Sequence, residues 1–284
     1  MLSIAAGDGN EQTARRTEPA LLEHGGVTEA RRYAATRPGT VAFALMTEAG
    51  RIHGRNVDTP FRSASMTKAM LLVAVLRRAA ARSLTGKERK QVAPMITASD
   101  NDAADEVYAS VGDLGLQAVA QAAHMLHLQP VGALFETRIT AADQARLFLR
   151  IDRYVPRRHR AYAMGLLRNV IPAQRWGIAA AVPHGWRIAF KGGWGKGETR
   201  EVDHQVALLT RGRERVSVAV LTADNPSDGY GFATIQGVAA RLLRGLGGTI
   251  VGRARPGRER LGPRSAIARG VAHRPRPLKP ADRR

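Results

Sequence analysis

Directly after Lys68 the chain runs Ala-Met-Leu-Leu-Val-Ala-Val-Leu, through Leu76, and then meets Arg77 and Arg78. The run is rich in helix formers and has no polar face, so it predicts a helix from Ser65 to about Ala81 that other elements must cover on all sides. It falls far short of the roughly 20 apolar residues that cross a bilayer, which makes it core rather than membrane span. A chain of 284 residues is long enough to supply that cover within one large domain.

The flanking pattern says what the cover is. Residues 1–26 are polar and read as a disordered leader. Thr28 to Ala35 reads as a helix that stops before Pro38 and Gly39. Two strand-like runs follow, Val41 to Met46 and Arg51 to Gly54, with Glu48-Ala49-Gly50 as their turn. After the buried helix come helical segments at about Asp102 to Ser110, Leu116 to Leu126, Ala141 to Ile151 and Arg160 to Ile171. Strand periodicity returns at Trp186 to Lys191, Gln205 to Thr210 and Val216 to Thr222, and a helix from Tyr230 to Leu246 closes the pattern. Sheet, helical block, sheet and helix imply an α/β (α+β) two-lobed fold. One antiparallel sheet flanked by helices would occupy residues 27–248, with an all-helical lobe inserted at about 64–180. A site would lie in the crevice between the lobes.

Composition narrows the chemistry. No cysteine is present, which removes disulfides, thiolate metal sites and cysteine nucleophiles. His124 and His127 have no acidic or third-histidine partner at ligand spacing, so no metal and no cofactor is expected. The formal charge is +20, and from Val251 to Arg284 there are 11 Lys or Arg against 2 acidic residues, broken by five prolines. That stretch reads as a disordered basic tail over 249–284, able to bind polyanions weakly. No aromatic residues are interleaved to stack bases, so no specific nucleic acid partner is expected. Residues Met1 to Asn10 carry no basic patch followed by an apolar stretch, and the compartment is left unassigned.

Three motifs carry chemistry. Ser65-Met66-Thr67-Lys68 places a hydroxyl and an amine one turn apart at the start of the buried helix, where burial would desolvate the amine. Ser99-Asp100-Asn101 stands at the mouth of a later helix, where the same residue types also serve as caps. Lys191-Gly192-Gly193 closes a strand, with glycines that let a ligand approach the backbone. A serine becomes nucleophilic when a base removes its proton. A lysine can be that base once burial and a neighbouring cation, here Lys191, lower its pKa.

In this order the motifs match the S-x-x-K, S-D-N and K-T-G set, and over about residues 28–246 the sequence resembles the β-lactamase and penicillin-binding-protein superfamily. It is similar to the class A-related serine hydrolases of actinobacteria, with Gly193-Trp194 ending the third motif. The resemblance implies an acyl-enzyme mechanism on an amide or ester of a small molecule or peptide. Ser65 would be the nucleophile and Lys68 its base. Ser99 and Lys191 would complete the catalytic set, with the backbone N–H groups of Ser65 and Trp194 as oxyanion donors. Asn101, Gly192 and Gly193 would contact substrate. A monomer is expected, and an extracytoplasmic place if the true start lies upstream.

Two departures qualify the likeness. The E-x-x-L-N setting of a deacylating glutamate is missing. The local acid is Glu136, read as a surface carboxylate near Arg138, and Thr140-Ala141-Ala142-Asp143 reads as a helix capping box. β-Lactam turnover is therefore expected to be poor. Gly192 replaces the hydroxyl residue that helps to bind a substrate carboxylate, leaving Lys196 or Arg200 as nearby anchors. The rival reading is a non-catalytic descendant that binds through its cleft or tail, but pure binding does not need Ser65, Lys68, Ser99 and Lys191 together. Gly192 to Lys196 fails as a P-loop on spacing, and no G-x-S-x-G is present.

Overall fold

The computed structural model describes residues 25–247. The expected leader (apart from its last two positions) and the basic tail lie outside them. The apolar run forms helix α2 (Lys68–Arg78), following a 3-10 turn at Ala64–Thr67. All residues from Lys68 to Leu76 are buried, as a helix without a polar face requires. Around it lie α1 (Gly26–Ala35), α3 (Gly86–Thr97), α4 (Asn101–Ala122), α5 (Ala141–Leu149), α6 (Ile151–Tyr154) and α7 (Arg157–Arg168).

The strands are β1 (Thr40–Thr47), β2 (Ile52–Arg55), β5 (Arg187–Lys196), β6 (Glu201–Arg211) and β7 (Glu214–Asn225). They form one antiparallel sheet in the order β2-β1-β7-β6-β5. The N-terminal hairpin thus joins the C-terminal strands through the β1–β7 pairing, as expected for a sheet with a helical insertion. Strand alternation splits the core in two. Ala42, Ala189, Val206 and Leu221 face the helical insertion, whereas Phe43, Phe190, Ala207 and Val220 face α1 and the final helix, α8 (Asp228–Leu242).

Several boundaries differ from expectation. The insertion is not purely helical: β4 (Arg138–Ile139) pairs with β3 (Phe61–Arg62) in a small second sheet. α4 is one element broken at Gly112, whose φ of 62° and ψ of −176° are open only to glycine, and it ends before Leu126. α7 starts and ends three residues early, after Pro156. β5 does not close at Lys191-Gly192-Gly193 but continues to Lys196, so the third motif lies inside an edge strand.

Helix α3 is not among the helical segments read from the sequence, and it contains Pro94. Thr85 and Glu88 nevertheless form a reciprocal capping box at its start. Near its end the Pro94 carbonyl accepts from both Ala98 N and Asp100 N, at 3.0 and 3.2 Å, turning the chain into the Ser99 segment. The capping role read at Thr140 holds, with Thr140 Oγ1 accepting from Asp143 N. The reciprocal half is absent. Asp143 instead accepts from Leu126 N and His127 N and pairs with Arg146.

Candidate active site

Ser65 sits in the first turn of the helical run that continues as α2, where the N-terminal dipole favours developing negative charge. Ala64 before it holds a φ of 44°, a conformation that costs a non-glycine residue energy and needs support. Ser63 Oγ lies within hydrogen-bond reach of the carbonyls of Leu134 and Phe135, and Ser63 N donates to Thr137 O. On the other side His204, buried on β6, donates from Nε2 to Arg62 O at 2.8 Å. Its Nδ1 accepts from Thr222 N, which fixes the tautomer. Burial holds this imidazole down to about 4, so it stays neutral.

Lys68 is fully buried and donates to Ser99 O and Asn101 Oδ1, both at 2.6 Å, with Ser99 Oγ at 3.4 Å. Lys191 is 1% exposed and donates to Ser99 Oγ at 2.9 Å and Gly192 O at 2.5 Å. Ser99 therefore stands between two amines. Its φ of 58° turns its carbonyl to one lysine while its hydroxyl serves the other. Asp100 caps α4 through Ala103 N, so the capping role falls on the middle residue of the motif and leaves its neighbours to the lysines.

Burial lowers Lys68 from 10.5 to about 8, against the opposing charges of Asp100 and Asp105. Lys191 is driven well below its usual value by burial first and by the Lys68 charge second. The expectation that a second cation would depress Lys68 is thus reassigned: for Lys68 the cause is desolvation, and the like-charge effect acts on Lys191.

Gly193 explains how the strand reaches Ser65. A Cβ there would lie 2.9 Å from Ser65 N and 3.1 Å from Met66 N, so only glycine lets the edge of β5 close on that turn. Gly192 points to the other side, where its Cβ would meet the Trp176 ring at 3.5 Å. Ser65, Asn101, Trp194 and Lys196 line one cleft of about 190 Å³, together with Arg62 and Phe135.

The family model described as Beta-lactamase enzyme family matches residues 89–246, more than half of the chain. The chain belongs to that family. A β-lactamase from Sphaerobacter thermophilus superposes with a TM-score of 0.65 at 22% identity, covering 78% of this chain and 97% of that one. A class A β-lactamase from Mycobacterium abscessus gives 0.64 at 20% identity, covering 78% and 100%. A β-lactamase from Xanthomonas campestris gives 0.64 at 16% identity, covering 81% and 99%. A search of curated proteins finds no match. At these identities the superpositions establish the β-lactamase fold, and the family match begins after Ser65 and Lys68.

Within this β-lactamase-family cleft, the surroundings depart from the sequence reading. Glu136 pairs with Arg62 at the rim rather than with Arg138, which pairs with Glu198 at 2.9 Å. Lys196 is paired with Glu201, so it is not an open anchor for an acidic substrate. Trp194 packs edge-on against Trp176, which stacks on Phe232 with ring centroids 3.9 Å apart. Arg62, Phe135, Trp176 and His204 carry no motif in the sequence. Strand pairing and chain crossing bring Arg62 and Phe135 to the cleft wall and set Trp176 against Trp194 and His204 against Arg62 O behind it.

Proposed function

We propose that this protein is a serine hydrolase that transfers the acyl group of an amide or ester to Ser65 and then to water. The observation that carries the reading is the hydrogen-bonded series Asn101–Lys68–Ser99–Lys191, whose Asn101 end lines the same cleft as Ser65, three residues before Lys68. A neutral amine has two N–H donors, and Lys68 spends both on carbonyl oxygens at 2.6 Å. Its lone pair is then left to take the Ser65 proton as Oγ attacks the carbonyl carbon. The carbonyl oxygen gains the charge and is met by the backbone N–H groups of Ser65 and Trp194. As the tetrahedral species collapses, the proton passes from Lys68 through Ser99 Oγ to the leaving nitrogen or oxygen. Lys191 holds that hydroxyl in line.

Deacylation is the slow half. Glu136, the carboxylate next to Phe135 of the cleft wall, is committed to Arg62, so water receives little help from it. A β-lactam would then stay attached rather than turn over. The preferred substrate is not acidic: Gly192 brings no hydroxyl to the cleft, and Lys196 is neutralised by Glu201. The Trp176, Trp194 and Phe232 rings beside the edge of β5 suit an apolar or aromatic group.

Intact-protein mass spectrometry tests this with wild type and Ser65→Ala, each mixed with a fluorescent penicillin and a p-nitrophenyl ester. A persistent adduct on wild type alone is expected. No adduct and no ester turnover would overturn the reading in favour of a binding protein, and an adduct on both forms would remove Ser65 as the nucleophile.

A further inference from the structure

At the end of the sheet away from Ser65, α7 and strands β6 and β7 line an open pocket of about 390 Å³. Trp194 pairs with Asp203 on β6, whereas the pocket reaches Leu208 and Thr210, opposite Ala189 and Arg187. Seven residues of β5 separate the two places, roughly 23 Å along the strand. Arg157, Arg160, Arg168 and Arg215 all line it, against one carboxylate, Asp152. Four positive charges less one negative leave an excess of three. Asp152 is already spent, because Arg215 grips it at 2.5 and 3.3 Å while also donating to Leu149 O. Arg157, Arg160 and Arg168 have no ion-pair partner among the described residues, and Arg160 Nε is buried with no hydrogen-bond acceptor.

The three unpaired arginines fall on one face of α7, Arg157 and Arg160 about one turn apart and Arg168 about two turns further on, and the like charges of the first pair destabilise the helix. A guanidinium fork is shaped for two oxygens of one anion, and a buried Nε without an acceptor is costly to leave unmet. Met164, Ala161 and Leu208 supply an apolar wall to the same pocket. Its volume exceeds what a bare oxyanion fills, and its concave shape favours a small molecule over a nucleic acid duplex. From this arrangement we propose a second binding site, separate from the Ser65 cleft, for a small phosphate or sulfate monoester that carries an apolar body.

Calorimetric titration of the full chain at low salt with phenyl phosphate, phenyl sulfate, inorganic phosphate and a short DNA duplex tests it. One saturable site is expected for the two phenyl esters, tighter than for inorganic phosphate. Arg160→Gln should weaken it by about 10-fold or more, the worth of a charge-assisted hydrogen bond. Arg168→Gln, at an exposed position, should weaken it as well and keeps the test open if Arg160→Gln does not fold by circular dichroism. Arg253→Gln with Arg255→Gln, in the C-terminal segment, should leave ester binding unchanged. The proposal is overturned by any of four results: no saturable ester binding, binding indifferent to both α7 variants, inorganic phosphate bound as tightly as the esters, or binding of the duplex alone.

Discussion

Lys68 shows how a single residue acquires a property its type does not have. The chain packed around it buries it, and burial, working against the charges of Asp100 and Asp105, brings its ammonium down to about 8, where a sizeable neutral fraction exists near physiological pH. Acylation by a p-nitrophenyl ester should accordingly rise with pH and level off above an apparent pKa near 8, the value belonging to the Lys68–Lys191 pair as a unit. Lys68→Arg keeps a cation that cannot deprotonate. It should reduce the ester acylation rate by about 10²-fold or more and abolish the inflection, read by p-nitrophenol release across a pH series. An unchanged profile in that variant would assign the proton transfer to another group. The basic amine after a serine and before an apolar run was visible in the sequence, but the opposing influence of Asp100 and Asp105 and the position of Lys191 were not. They depend on where α4 and β5 come to rest.

At the level of elements, two glycines do different work. Gly112 breaks α4 at backbone angles reserved for glycine and has no atom within 4 Å of a built Cβ, so strain is the whole effect of adding a methyl group. Gly112→Ala should cost about 1–3 kcal/mol in chemical denaturation with no change in acylation. Gly193 lies in β5 against the Ser65 turn, and its added Cβ would meet fixed backbone at 2.9 Å. Gly193→Ala should leave the sheet folded and yet reduce acylation by about 10-fold or more, because a small displacement of the oxyanion donors is enough. The opposite ranking of the two variants, with Gly112→Ala inactive and Gly193→Ala fully active, would refute the assigned close approach. Helix α3 is the counter-case in sequence reading. Its Thr85 and Glu88 capping box is a signal legible in the sequence, and the helix forms although Pro94 inside it offers no N–H to the carbonyl of Lys90.

Across the whole molecule, buried titrating groups set how stability follows pH. Asp203, beneath the start of α8, is pushed up to about 8, first by burial and then by the charge of Asp228, while its Oδ2 accepts from Asn225 Nδ2 at 2.7 Å. Its folded value lies above its unfolded one of 3.8. The folded chain therefore holds an extra proton between these values, and the stability from Asp203 is fully present below 3.8 and lost as pH rises to about 8. Lys68 works in the other window. Its folded value is below the unfolded 10.5, the unfolded chain binds the extra proton, and stability is recovered from about 8 to 10.5. Asp203→Asn should flatten the first decline in a series of thermal melts, each kcal/mol recovered near pH 8 being worth roughly 2–4 °C at this size. A decline that persists undiminished in the variant would assign it to other groups.

What the sequence determined by itself was the local chemistry and the order of elements. An apolar run without a polar face has to be buried, the strand-like runs have to pair into a sheet, and three short motifs in a set order singled out Ser65, Lys68, Ser99, Asn101 and Lys191 as candidates. Those readings rest on periodicity and residue type, which act over a few neighbours along the chain. What only the tertiary structure decided was long-range. It set the depth to which β5 continues beyond Lys191, the pairing of Glu136 with Arg62, and the neutral His204 that ties β6 to the chain just before Ser65. It also set the gathering of Trp176, Trp194 and Phe232, and the arginine-lined pocket under α7. Each joins residues that lie far apart along the chain or on separate elements, and such contacts are settled by which surfaces meet when the core closes.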